Sequence, residues 1–157
     1  MLLRTVGLCC VMALSGQVFA QKKAVQNNSD IVGKWKTIDE QTGYSRADVE
    51  IVKNADQTYT GKIIAIRPLP FKPLVETCTQ CKGKMKNARY VGLEILTGFK
   101  QDPNNPTEFI DGHVLDPLSG KIYKGKAKLQ HNGQRLRMRG YVGISALGRS
   151  TTWIRTD

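Results

Sequence analysis

The residues most able to do covalent chemistry are two cysteines in the spacing Cys78-Thr79-Gln80-Cys81. A Cys-x-x-Cys pair can cycle between dithiol and disulfide. That use needs the first thiol at the start of a helix, where the dipole lowers its pKa. Here the pair follows Pro68-Leu69-Pro70-Phe71-Lys72-Pro73, an extended proline-rich stretch, and no strand–helix–strand pattern comes after it. Zinc would need two further ligands. Only His113 and His131 exist to supply them, both distant in sequence, so no metal site is assigned. The context favours a local disulfide between Cys78 and Cys81 that shapes a loop, closing so short a ring that its entropic contribution is small. Lys82, Lys84 and Lys86 beside it would stabilise a thiolate, which keeps a thiol oxidoreductase as an alternative.

Other catalytic signals are poor. The chain has no Gly-x-Ser-x-Gly, His-Glu-x-x-His, phosphate loop or Gly-x-Gly-x-x-Gly. Gly143-Ile144-Ser145-Ala146-Leu147-Gly148 is one residue off a nucleophile elbow. His113 falls on an expected strand near Asp111, where a lone histidine is more often structural. No catalytic residue and no cofactor is assigned, and the protein is expected not to be an enzyme.

The second chemical feature is charge. The 157 residues hold 24 Lys+Arg against 13 Asp+Glu, a formal net charge of +11, which suits an acidic partner. The N-terminus limits which one. Arg4 is followed by an apolar run from Val6 to Leu14, a break at Ser15-Gly16-Gln17, and Val18-Phe19-Ala20 at a cleavage position. This is the three-part pattern of a secretory leader, expected to be cut after Ala20. The apolar run is too short to span a bilayer, which takes about 20 residues. Cleavage would remove Cys9 and Cys10 and leave Cys78 and Cys81 in an oxidising periplasmic or extracellular setting. Nucleic acid then drops out as a partner, and anionic lipid or cell-wall polymer remains.

The elements that must position these residues are short strands. Residues 21–30 are polar and read as a disordered arm, and 31–157 as a single domain. Turn residues recur at Gly43, Asn54-Ala55-Asp56, Asp102 to Pro106, Asp116 to Gly120 and His131-Asn132-Gly133. No segment sustains a helical period, although a short helical turn near Met85 to Arg89 is allowed for. The chain is therefore all-β, a sandwich or barrel rather than a parallel sheet.

The best-specified piece is a hairpin from Lys121 to Val142. Asn132-Gly133 suits a type I′ turn, which requires positive φ at both central residues. That turn sets Lys126 opposite Arg139, Lys128 opposite Arg137 and Leu129 opposite Leu136. One face then carries Tyr123, Gly125, Ala127, Leu129, Leu136, Met138, Gly140 and Val142 as core. The other carries Lys124, Lys126, Lys128, Arg135, Arg137, Arg139 and Tyr141 toward solvent or a partner. Like charges opposite one another are mildly destabilising. The basic face is either a solvated surface or a docking surface for anionic material.

Order and spacing of several short motifs carry a resemblance: Gly33-Lys34-Trp35, Gly61-Lys62-Ile63, Cys78-Thr79-Gln80-Cys81, Gly112 to Pro117, Gly120 to Tyr123, Arg139 to Gly143, Leu147 to Arg149 and Trp153-Ile154-Arg155. The chain resembles the bacterial secreted family called domain of unknown function 2147. That resemblance implies a lipocalin-like (calycin) fold, an antiparallel up-and-down barrel of about eight strands. Trp35 and Arg155 match the lipocalin-like pairing of a first-strand Gly-x-Trp with a last-strand cation. Such a cation over the indole closes the barrel and contributes ~0.5–2 kcal/mol. The family implies no established activity. A barrel of this kind holds its own side chains or one small ligand. We therefore expect a small hydrophobic or amphipathic ligand in the barrel interior, walled by Trp35, Tyr123, Met138 and Trp153. The alternative is an envelope interaction protein that binds anionic lipid or cell-wall polymer through Lys124, Lys126, Lys128, Arg135, Arg137 and Arg139.

Overall fold

The computed structural model describes residues 29–40, 42–70 and 72–157. The expected leader and most of the N-terminal arm lie outside the described residues. Eight strands follow in sequence: β1 (Gly33–Ile38), β2 (Ala47–Lys53), β3 (Tyr59–Ile66), β4 (Glu94–Asp102), β5 (Asn105–Asp116), β6 (Lys121–Gln130), β7 (Arg135–Tyr141) and β8 (Arg149–Arg155). Each pairs antiparallel with its neighbour in sequence, and β8 pairs with β1, which closes the barrel. This is the all-β, eight-stranded up-and-down barrel expected.

Alternation of side chains does the sorting. In β6, Gly125, Ala127 and Leu129 are buried while Lys124 and Lys128 are exposed. In β7, Leu136 and Met138 are buried and Arg135 and Arg137 exposed. Pairing in this hairpin follows the expected register, with Lys126 opposite Arg139 and Lys128 opposite Arg137. Its turn has Asn132 at φ 53° and Gly133 at φ 84°. Gln134 N donates across it to His131 O at 3.1 Å.

Two local expectations fail. Val142 is not core but 69% exposed. Strand β7 stops at Tyr141, and Gly143 at φ 69° turns the chain away before Val142 can pair inward. The helical turn forms at Gly83–Met85 rather than over Met85 to Arg89. Lys86 is extended and Asn87 has φ 60°, so the backbone reverses and Asn87 N donates to Cys78 O at 2.9 Å.

Strand alternation places successive connections at opposite ends of the barrel. One end carries the short turns 54–58, 103–104 and 131–134 with both described termini. The other carries the longer connections 39–46, 67–93, 117–120 and 142–148. We call them the closed end and the loop end.

Candidate ligand-binding site

Two ends of one barrel have different chemistry. At the closed end Trp35 is fully buried, and its Nε1 donates to Ile31 O at 2.9 Å. Arg155, its partner across the β1–β8 seam, lies over the indole with Cζ 4.3 Å from a ring centroid. The guanidinium donates from Nε to Gly133 O, from Nη1 to Val32 O and from Nη2 to Asp30 O, each at 2.7 Å. Burial pulls its pKa down, opposed by the nearby Asp157 and Asp30 carboxylates. One cation thus ties together the N-terminal entry, the β6–β7 turn and the last strand. Gly33 makes this approach feasible. Its φ is +133°, and a Cβ there would sit 2.6 Å from Arg155 Nη1.

Above this plug the interior is filled with side chains. Tyr59 and Phe109 meet edge to face at 5.2 Å between centroids. Phe99, 1% exposed, lies against the paired glycines Gly112 and Gly125. A Cβ on Gly112 would come within 2.2 Å of that ring, and one on Gly125 within 2.6 Å. The ring occupies the volume that two side chains would otherwise take. Met138 and Trp153 belong to the same buried cluster, and Tyr123 is half-buried on the inward face of β6.

The loop end is hollow. A pocket of about 360 Å³ opens there. Its apolar wall comes from Ala47, Ile63 and Ile66 on the strands and from Leu69, Pro73, Leu74, Val75 and Leu118 on the connections. Arg46, Arg67 and Lys72 supply its cations. Arg67 donates from Nη1 and Nη2 to the two Asp48 carboxylate oxygens and from Nη1 to Ser45 Oγ at 3.1 Å, and the Asp48 hydrogen bond raises its pKa. Arg46 Nε is buried and 3.3 Å from Asp39 Oδ2, an ion pair without hydrogen-bond alignment. Lys72 makes no ion pair among the described residues. None of Trp35, Tyr123, Met138 and Trp153 lines this pocket. Trp35, Met138 and Trp153 lie in the buried cluster, and Tyr123 is half-buried.

The pocket residues carry one signal legible in the sequence. Leu69, Leu74 and Val75 are apolar residues in a proline-rich connection, with no strand face to bury them. That connection is anchored by the Cys78–Cys81 disulfide, whose cysteines are both buried. Cys78 Sγ sits 3.1 Å from Pro117 O, and Tyr90 Oη donates to the same carbonyl at 3.0 Å. Burial, then the nearby Asp116 carboxylate, raises the Tyr90 pKa.

On the barrel's outer wall, Lys126, Lys128, Arg137 and Arg139 line a shallow groove of about 260 Å³ with Glu108 and Ser150. Its cations are partly engaged. Lys128 Nζ pairs with Glu108 at 3.0 Å. Arg139 donates to Ser145 O at 2.6 Å, Ala146 O at 2.9 Å and Ser150 Oγ at 3.0 Å. Lys124 and Arg135 lie outside this groove on the same face. His113 is exposed on β5.

A family model for uncharacterized proteins conserved in bacteria, DUF2147, matches residues 33–155. The chain belongs to DUF2147. The match spans all eight strands, from Gly33 of the Gly-x-Trp to Arg155, so the DUF2147 unit is the closed barrel itself. Among solved structures, protein HP1028 from the human pathogen Helicobacter pylori, described as belonging to the lipocalin family, superposes with a TM-score of 0.66. It is 17% identical, with 82% of this chain and 84% of that chain covered. At that identity the likeness is one of fold, and this DUF2147 barrel is lipocalin-like. No curated protein matches the chain in sequence.

Proposed function

We propose that the protein is exported across the inner membrane and binds a small amphipathic ligand in the pocket at the loop end of its barrel. The observation that carries this reading is the pocket's composition. Apolar residues from two strands and two connections form a wall, and Arg46, Arg67 and Lys72 stand on it. A ligand with an apolar body and an anionic group would satisfy both, since pockets of this size hold small molecules by apolar contact and orient them by a few polar groups. The leader-like residues 1–20 and the disulfide support an oxidising location.

The test is extraction of the purified protein with organic solvent and mass spectrometry of the extract. A stoichiometric amphiphile is expected, and Leu74→Asp should lower its occupancy without unfolding the protein. A protein that purifies empty and takes up no fatty-acid-like or apolar probe overturns the reading.

The outer-wall groove is the observation behind a second reading, binding of anionic envelope polymer on the basic hairpin face. Arg139 and Lys128 already have protein partners there. Arg135→Gln with Arg137→Gln should abolish salt-sensitive pelleting with cell wall if that reading holds, and leave it unchanged if it does not.

A further inference from the structure

We propose that the loop end of the barrel docks on an anionic lipid bilayer, with apolar loop tips in the interface and loop cations against the head groups. The proposal rests on the surface of that end and stands whether or not the pocket is occupied.

The molecule is polarised along its barrel axis in two independent ways. Among the described residues, twelve large apolar side chains are exposed, and eight of them sit on the four connections of the loop end. The most exposed are Val142 at 69%, Ile144 at 65% and Leu147 at 80%, all on the 142–148 connection. Tyr44, Leu74 and Leu118 add tips from the other three. Charge follows the same axis. The loop-end connections carry seven Lys+Arg and three Asp+Glu. The closed-end turns and described termini carry Asp30, Asp56 and Asp157 and no Lys or Arg.

The 142–148 connection is built to hold its apolar tips outward. Arg139 donates to Ser145 O and Ala146 O, and Lys126 Nζ lies 3.3 Å from Ser145 Oγ. Arg139 therefore fixes the backbone, and Lys126 the Ser145 side chain, while Ile144 and Leu147 face water. Exposed apolar residues gathered at one end, rimmed by charge, mark an interaction surface. Leu74, Val75 and Leu118 rim the pocket, but Tyr44, Val91, Val142, Ile144 and Leu147 lie outside it, so the apolar surface spreads over four connections, which suits a fluid interface better than a shaped protein partner. Cations near an anionic leaflet are attracted within a Debye length, and apolar side chains at the acyl boundary add depth. The net cationic charge of the loop-end connections turns that end toward the bilayer.

The experiment is co-sedimentation with vesicles of phosphatidylglycerol and phosphatidylcholine against phosphatidylcholine alone. It uses protein recovered after export, with its N-terminus read by mass spectrometry. All variants share that terminus, so differences among them report the loop end. The protein should pellet with the anionic vesicles, weakly with neutral ones, and less as salt rises. Ile144→Asp with Leu147→Asp should lower vesicle affinity on the order of tenfold or more with an unchanged melting temperature. Arg135→Gln with Arg137→Gln should leave it nearly unchanged. In a Leu147→Trp variant, indole emission should shift to the blue on adding anionic vesicles. Equal binding to neutral vesicles, no binding at all, or loss with the Arg135/Arg137 variant instead of the loop variant would overturn the proposal. So would an indole at position 147 whose emission stays that of a ring in water while the protein pellets.

Discussion

Arg155 shows how much one side chain can be asked to hold. Its three carbonyl acceptors come from the N-terminal entry and the β6–β7 turn, and its planar face covers Trp35. Lysine offers a point charge and no planar fork, so it cannot serve three acceptors and the indole together. Arg155→Lys should therefore cost about 3 kcal/mol in urea unfolding. Tyr59 belongs to the same end. Burial, with the Asp30 carboxylate it donates to, pushes its pKa up to about 12. A folded pKa above the unfolded value means the protonated phenol stabilises the fold fully below about pH 10, and that stability is lost as pH rises toward 12. Urea midpoints should fall from pH 9 to pH 11 more steeply for the native protein than for Tyr59→Phe. At this scale Trp35 and Arg155 are legible as a pair through the lipocalin-like pattern of their motifs. The Tyr59–Asp30 contact is not, because it joins residues whose separation carries no periodic signal.

Among the elements, the β5–β6 pair decides what the barrel can contain. Gly112 and Gly125 face each other across the ladder, and Phe99 from β4 lies on both. Gly112→Ala should overpack the interior and cost about 3 kcal/mol. Adding Phe99→Leu should recover part of the loss, a coupling visible in a double-mutant cycle. The 67–93 connection behaves differently. Its disulfide closes a short ring, so Cys78→Ser with Cys81→Ser should cost no more than about 2 kcal/mol. The effect should concentrate in faster amide exchange at Cys78, Asn87 and Tyr90, whose N–H groups bond within that connection. Strand positions and the hairpin register can be read from alternation and from Asn132-Gly133. The Phe99 placement cannot, since irregularities at Gly98 and Asp111, both at positive φ, shift which residues face inward. Val142 departs from its expected place for a related reason: the apolar–polar alternation continues in the sequence past the point where Gly143 ends the strand.

At the scale of the whole molecule the barrel is one closed sheet. Strand β8 carries the seam with β1 as well as its pairing with β7. Ending the chain before Arg149 should abolish cooperative unfolding, because both pairings and the Arg155 anchor disappear together; circular dichroism against temperature would show a broad, non-cooperative loss. The gathering of exposed apolar side chains and connection cations at the loop end also belongs to this scale.

Composition, turn residues and alternation are enough to determine an all-β chain and the register of its β6–β7 hairpin, and short terminal motifs mark the two residues that meet at the seam. Those properties are written in neighbours two or a few residues apart. Only the tertiary structure decided that the interior is filled and that the hollow lies at one end among proline-rich connections. It also decided that Arg139 supports a loop instead of facing an open surface. Each depends on how wide side chains from non-adjacent strands divide a fixed volume, which no spacing along the chain records.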